Sequence, residues 1–460
     1  MARAEAQSLR RHINSAPADQ FFFDRAARVR VGDLTRGTSL RGGLAELAGR
    51  SVLIATASQL TSALALIELD GIARRLAILP PDVDRGHLGA LIADAEIDAL
   101  AIDGETPEVL SGVPVRIVCS PNIVPIEQSP PERIRTEWVL LTSGTTGVPK
   151  MVVHSLAGLG AAIAPRPTSE TVVWGTFYDI RRYGGLQILL RAVLGGASLV
   201  LSSAGEPVAD HLLRLGQHGV THLSGTPSHW RRALMSPEIG SISPRYVRLS
   251  GEIADQAILD SLRAAFPHAG IGHAYASTEA GVGFAVNDGL AGFPAAFLEG
   301  GGGGVEMKIV DGSLRIRSSG AASRYIGARR AALVDGDGFV DTGDMVERRG
   351  DRYFFVGRKG GIINIGGLKV HPEEVEAVIN RHPQVRMSLV RPKRSPFTGA
   401  IVIADVVLKS ACEHAKDESE VKDEILKLCR GALPRHKVPA AISFVPALAV
   451  AATGKLARRS

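Results

Sequence analysis

The 460-residue sequence contains only three cysteines, Cys119, Cys412 and Cys429, and no pair has CxxC spacing. That argues against a disulfide framework and against a structural zinc site. Long apolar runs are missing as well. No stretch reaches the roughly 18 residues that a membrane-spanning helix needs. Met1-Ala-Arg-Ala-Glu is not followed by the apolar core of a secretory leader. The expectation is a cytoplasmic enzyme without a membrane span. Aromatic residues make up only 5% and none interleave with a basic stripe, so nucleic acid is not an expected partner. Net charge is absent from most of the chain. Residues 1–360 hold 37 Lys+Arg against 37 Asp+Glu, while residues 361–460 hold 16 against 10 and carry the whole net charge of +6. A basic C-terminal unit suits an anionic partner, and equally a set of solvated faces.

What is present is ordinary for a globular protein, with 45% hydrophobic and 22% charged residues. The length exceeds one typical core, so two or more domains are expected. Residues 1–45, with the aromatic knot Phe21-Phe22-Phe23, read as an N-terminal arm packing on the main domain. From Ser51 onward, short apolar strands alternate with helical segments such as 59–69, 85–95, 186–194, 208–218, 228–235 and 253–266. That alternation predicts α/β architecture with doubly wound parallel sheets, whose ligands lie at the carboxyl ends of strands. After the glycine run 300–304, read as a loop, the rhythm changes to short strands punctuated by Gly and Asp, a small β-rich subdomain. Beyond about 356–361 comes a compact α+β unit, whose helix opens at Pro372-Glu373-Glu374. The expected division is 1–357 for a large N-terminal domain and 358–460 for a small mobile C-terminal one.

The densest motif is Leu141-Thr142-Ser143-Gly144-Thr145-Thr146-Gly147-Val148-Pro149-Lys150. Glycines let backbone N–H groups turn toward oxygens, hydroxyls donate, and a lysine adds a point charge: a phosphate cradle. It is not a Walker A loop, because Val148 and Pro149 separate Gly147 from Lys150. A flexible polar loop would account for an arbitrary Gly/Ser/Thr run. Ten positions in this order instead resemble the phosphate loop of the superfamily of acyl- and aryl-CoA synthetases, luciferases and peptide-synthetase adenylation domains. These enzymes activate a carboxylate with ATP and release AMP.

Four later segments stand in the order this resemblance implies. Tyr275-Ala276-Ser277-Thr278-Glu279 resembles the family's aromatic-Ser-Thr-Glu motif. It implies Tyr275 against adenine, Ser277 and Thr278 at the nucleotide, and Glu279 on Mg²⁺. Asp341-Thr342-Gly343-Asp344 implies Asp344 as acceptor for the ribose hydroxyls. Val356-Gly357-Arg358-Lys359-Gly360-Gly361, running on to Gly366-Gly367, is similar to the interdomain hinge. Arg358 then contacts ribose or phosphate, while Gly360, Gly366 and Gly367 serve hinge rotation and the pantetheine tunnel. Two departures stand out: Gly360 and Asn364 occupy positions where the family usually has charged residues. Thr453-Gly454-Lys455 supplies the mobile lysine of adenylation, although the usual proline before it is missing.

The resemblance implies ATP, Mg²⁺ and CoA, with a small carboxylic acid as substrate. The acceptor thiol is free CoA or the phosphopantetheine arm of an acyl carrier protein. A catalytically silent nucleotide-binding protein is the alternative from another class. ATP-binding candidates are Thr142 to Gly147, Lys150, Tyr275, Ser277, Thr278, Asp344, Arg358 and Lys455; the catalytic ones are Lys455, Thr278 and Glu279. The acyl pocket departs most from the family. In Arg181-Arg182-Tyr183-Gly184-Gly185-Leu186, Arg181 stands where many CoA ligases have His. Arg181, Tyr183 and Gly251 are the expected carboxylate-pocket residues, against the plainer reading of a surface arginine pair.

Overall fold

The computed structural model describes residues 8–14, 17, 19–105, 107–127, 131–142, 149–164, 171–300, 304–327, 332–365, 367–395, 399–409, 417–451 and 454–457. The architecture is α/β, with a large N-terminal part and a smaller C-terminal part. An eight-stranded sheet runs in the order Gly281–Val286, Gly270–Ser277, Tyr246–Ser250, His222–Gly225, Val173–Thr176, Ser198–Val200, Phe21–Phe23, Arg28–Arg30. Its inner strands are parallel and only its two edge pairs are antiparallel. Short apolar strands such as these lie buried beneath crossover helices, which is why they read as near-continuous hydrophobic runs.

A seven-stranded sheet carries Arg324–Ile326, Lys150–Ser155, Glu137–Thr142, Arg75–Ile78, Ser51–Ile54, Ala99–Ile102 and Val115–Val118. Helices Gln59–Leu69 and Tyr183–Leu194 share one buried cluster that reaches both large sheets. Every residue of Gln59–Leu69 is buried, the polar Gln59, Thr61, Ser62 and Glu68 included, so protein encloses the helix on all sides. A five-stranded antiparallel sheet, built mainly from Val305–Val310, Ser313–Ser318, Val340–Arg349 and Arg352–Arg358, forms the expected β-rich part. After Arg358, residues Ile363 to Ile442 pack a separate core around helices Pro372–Ile379 and Glu418–Ala432.

Several expectations need correction. Phe21–Phe23 does more than pack on the main domain as an arm: Phe22 is fully buried, and the segment pairs in parallel with Ser198–Val200 as a strand of the main sheet. The helix expected over 253–266 begins at Gln256, because the Asp255 carboxylate caps it by accepting from Ile258 N at 3.0 Å. The segment 85–95 opens as a 3-10 turn capped by Asp84 and becomes α-helical only at Leu88. Most of the glycine run at 300–304 lies outside the described residues. Among the described residues, no helix is long and apolar enough to cross a membrane.

Candidate active site

The strands of the eight-stranded sheet end together, and their carboxyl ends open into a cleft of about 1340 Å³ that also touches the C-terminal part. Thr142, Tyr275, Ser277, Thr278, Glu279 and Asp344 all line it. The strand Gly270–Ser277 delivers the aromatic-Ser-Thr-Glu segment, and Ser277 Oγ closes the turn after it by accepting from Ala280 N at 3.0 Å. His154, from the opposite sheet, holds the same turn: its Nε2 lies 2.8 Å from the Thr278 carbonyl. A carbonyl only accepts, so Nε2 carries the proton.

Burial pushes the His154 imidazole down to about 4, the Thr278 bond opposing only in part. The sign is that of a histidine kept neutral in the folded state. Stability is complete above the ordinary pKa of 6.5 and is lost as the pH falls toward about 4, since only the unfolded chain takes up the proton there. That gap corresponds to on the order of 3 kcal/mol. Thermal melts at pH 7.5 and 4.5 should show a smaller acid-induced drop in His154→Asn than in the parent protein. An equal drop in both would rule out His154 as a source of acid sensitivity.

Asp344 sits at a junction. One carboxylate oxygen accepts from the Tyr275 phenol at 2.6 Å and the other from Arg358 Nε at 2.8 Å. Strand pairing puts Asp344 directly opposite Arg358, which fixes this contact. The Tyr275 ring stacks on Phe355 and Phe284, at centroid distances of 5.1 and 5.7 Å. Desolvation and the neighbouring Asp344 together push the phenol well above its ordinary range, so it stays a donor. Glu279 lies close enough to Tyr325 to raise that phenol to about 12, after the larger effect of burial. Lys150, at the start of its strand, is exposed, with Nζ 5.5 Å from the Tyr325 ring centroid.

Lys455 enters from the far end of the chain. The Gly454 carbonyl accepts from Thr226 Oγ1 at 2.6 Å, and Leu456 N donates to Glu252 at 2.9 Å. Two bonds thus pin the residues on either side of Lys455 to the N-terminal part. Its side chain runs past Gly251, where a Cβ would stand 3.5 Å from Lys455 Cε. Lys455 is surrounded by protein yet open to the cleft. Desolvation and the charge of Arg358 lower its ammonium pKa, while Glu252 and Asp344 oppose. Gly454 has φ of +74°, and a Cβ there would overlap the His229 imidazole. His229 cannot yield easily: it is the partner of Thr226 in a capping box, its ring accepting from Thr226 N at 3.2 Å.

Not every expected residue gathers here. Ser143, Gly144, Thr145, Thr146, Gly147 and Gly366 lie outside the described residues. Tyr183 and Gly251 line the cleft; Gly360 and Gly367 do not. Arg181 requires a correction. It is 2% exposed, pairs with Asp179 at 2.6 Å, and donates to the carbonyls of Thr56 and Ala57 at 2.6 and 3.1 Å. It neither faces solvent nor lines the cleft. Its donors tie the loop before helix Tyr183–Leu194 to the other sheet, so it is a clamp and not a reader of the acyl group. Its neighbour Arg182 does border the cleft. No residue pattern marks His154 or His229, since a lone histidine in a strand or helix carries no spacing to read.

Comparison with known proteins gives the same picture. The family model "AMP-binding enzyme" matches residues 60–322, and "AMP-binding enzyme C-terminal domain" matches 374–455. The chain is similar to an acyl-CoA ligase of Aspergillus oryzae, 29% identical over 56% of this chain and 50% of that protein. It is also similar to the 2-succinylbenzoate–CoA ligase of Salmonella typhimurium, 26% identical over 92% of this chain and 89% of that protein. Against several such relatives, the matched stretch spans only 50–63% of their length. Among solved structures, a benzoate CoA ligase from Burkholderia xenovorans superposes with a TM-score of 0.79 at 20% identity, covering 97% of each chain. At that identity the likeness speaks for the fold.

Proposed function

The chain belongs to the AMP-binding enzyme family, and from that premise we propose that it is an acid–CoA ligase working through an acyl-adenylate. The observation that carries the reading is the docked Lys455 segment. It brings a cation from the end of the chain into the same cleft as Thr278, Glu279, Asp344 and Arg358. A carboxylate and the α-phosphate of ATP are both anionic, and their approach needs positive charge at the point where they meet. Lys455 supplies it, placed where the negative charge develops. Thr278 donates to the α-phosphate, Asp344 accepts the ribose hydroxyls and Arg358 steadies both. The Thr142–Lys150 segment holds the β,γ-phosphates.

Glu279 is the residue for Mg²⁺. Among the described residues no group of three or more His, Cys, Asp or Glu side chains is placed to hold a metal. That fits a cation which takes one carboxylate and draws its remaining ligands from nucleotide phosphates and water, the habit of Mg²⁺. Bound there, it would neutralise charge on the departing pyrophosphate. In the second half-reaction the segment after Arg358 turns, Lys455 withdraws, and the CoA thiol attacks the acyl carbon, releasing AMP.

The test is pyrophosphate release over a panel of aryl, short-chain and long-chain acids, followed by thioester formation with free CoA or a holo carrier protein. Acid-dependent release with CoA as the better acceptor is the expected result. Release with only the carrier protein as acceptor would replace the CoA assignment. No acid-dependent release at all would favour a silent nucleotide-binding protein.

A further inference from the structure

Two carboxylates that line the cleft, Glu252 and Asp255, build a platform out of separate elements. Helix Pro227–Ala233 and the loop 251–255 follow neighbouring parallel strands. Glu252 joins them by accepting from Ser228 N at 2.9 Å and from Ser228 Oγ at 3.0 Å. Asp255 joins them again, one oxygen paired with Arg231 and the other capping helix Gln256–Ala265. Held at both oxygens and only 12% exposed, the Asp255 carboxylate has little freedom to move. The C-terminal part uses this platform twice. Leu456 N donates to Glu252, beside Lys455. Asn380, just after helix Pro372–Ile379, donates from Nδ2 to Asp255 at 3.1 Å.

The Asn380 amide has one orientation open to it. An ionised carboxylate only accepts, so the amide turns its NH₂ toward Asp255 and its Oδ1 the other way. There Oδ1 accepts from Ser388 Oγ at 2.9 Å, and Ser388 is 1% exposed. Ser388, Asn380, Asp255 and Arg231 thus form a chain across the junction in which every donor meets an acceptor. Strand Val385–Ser395 packs against helix Pro227–Ala233 alongside it. Asp255, Asn380 and Ser388 all line the cleft that holds Lys455. An ion pair also crosses the junction, Arg349 with Glu374, and it is the weaker contact. It is 3.8 Å long, its arginine is 45% exposed, and its glutamate is already held by Lys437 at 2.6 Å.

We propose that Asn380 is a positioning residue for the first half-reaction: its bond to Asp255 latches the C-terminal part in the arrangement that carries Lys455 into the cleft. The proposal rests on the ligase reading and adds the side chains that bias the choice between its two half-reactions. Asn380 and Lys455 both lie beyond the hinge after Arg358. Asn380 ends a helix whose Val375, Val378 and Ile379 belong to the C-terminal core. A rotation that withdraws Lys455 therefore carries Asn380 away from Asp255, while Ser388 travels with Asn380 and Arg231 stays with Asp255. The latch opens without leaving a carboxylate unpaired, which would be the costly outcome. One hydrogen bond to a charged group is strong enough to tip a balance between two arrangements and weak enough to be undone in each turnover.

Amide hydrogen exchange at Leu456, followed by mass spectrometry, reads the docked population without turnover, since this N–H is tied to Glu252 only while the segment is docked. Asn380→Ala should speed that exchange by about tenfold or more, the worth of a hydrogen bond to a charged group. Asp255→Ser keeps a good helix cap while removing the carboxylate, and it should speed exchange as well. Because both changes break one bond, Asn380→Ala should add less than about twofold in the Asp255→Ser background. In kinetics, Asn380→Ala should lower the ratio of pyrophosphate release to thioester formation from supplied acyl-adenylate by about tenfold. That ratio follows the balance between the two arrangements whichever of them predominates. Unchanged exchange at Leu456, full additivity in the double variant, or equal loss in both half-reactions would each overturn the latch and leave the ligase intact. Absence of release with every acid would count against the ligase reading, and the exchange rates would then decide the latch on their own.

Discussion

Replacing Lys455 by alanine is expected to lower acid-dependent pyrophosphate release by two to three orders of magnitude, the usual effect of removing one group that stabilises transition-state charge. Thioester formation from supplied acyl-adenylate should change by less than about tenfold if, as proposed, the segment leaves the cleft for that step. The ammonium also has a pH signature. Burial and the charge of Arg358 lower its pKa from the usual lysine value of 10.5. In the proposed role the protonated form is the active one, so the first half-reaction should decline at an alkaline pH below that value. Lys455→Arg should move the decline upward, since guanidinium stays protonated throughout. Equal loss in both half-reactions would mean that Lys455 holds the fold and not the reaction.

Gly454→Ala tests the same geometry without touching the lysine. Gly454 has φ of +74°, in the left-handed region that costs other residues free energy, and a Cβ would overlap the His229 ring. His229 is held by Thr226 from two directions, through its own N–H and its ring. The alanine therefore cannot dock, and the bond from Thr226 Oγ1 to the Gly454 carbonyl is lost with it. Pyrophosphate release should fall about 100-fold, since small misplacements of a positioned group cost factors of that size. Thioester formation from acyl-adenylate should survive. Unchanged release would show that the docked arrangement is not the one that forms the adenylate.

The ordering of motifs made much of this legible in the residues. Tyr275 to Glu279, Asp344 and Lys455 stand far apart in the chain, yet all line one cleft. Alternating strands and helices were readable because buried parallel strands are short apolar runs with helical crossovers between them. What could not be read depends on tertiary partners. Phe21–Phe23 resembles an arm until Ser198–Val200 pairs with it. Arg181 resembles a surface residue until Asp179 and the Thr56 and Ala57 carbonyls take its donors. Thr226 and Glu252 hold the Lys455 segment from more than 200 positions away in sequence, a separation that no local pattern reports.

The central claim is that a carboxylate oxygen attacks the α-phosphorus of ATP in this cleft. An acid of the panel that supports turnover, labelled with ¹⁸O in both carboxylate oxygens, tests it directly. After one round with CoA, mass spectrometry of the nucleotide should find a single ¹⁸O in AMP and none in pyrophosphate. Label in pyrophosphate, unlabelled AMP, or ADP as the product would contradict the claim.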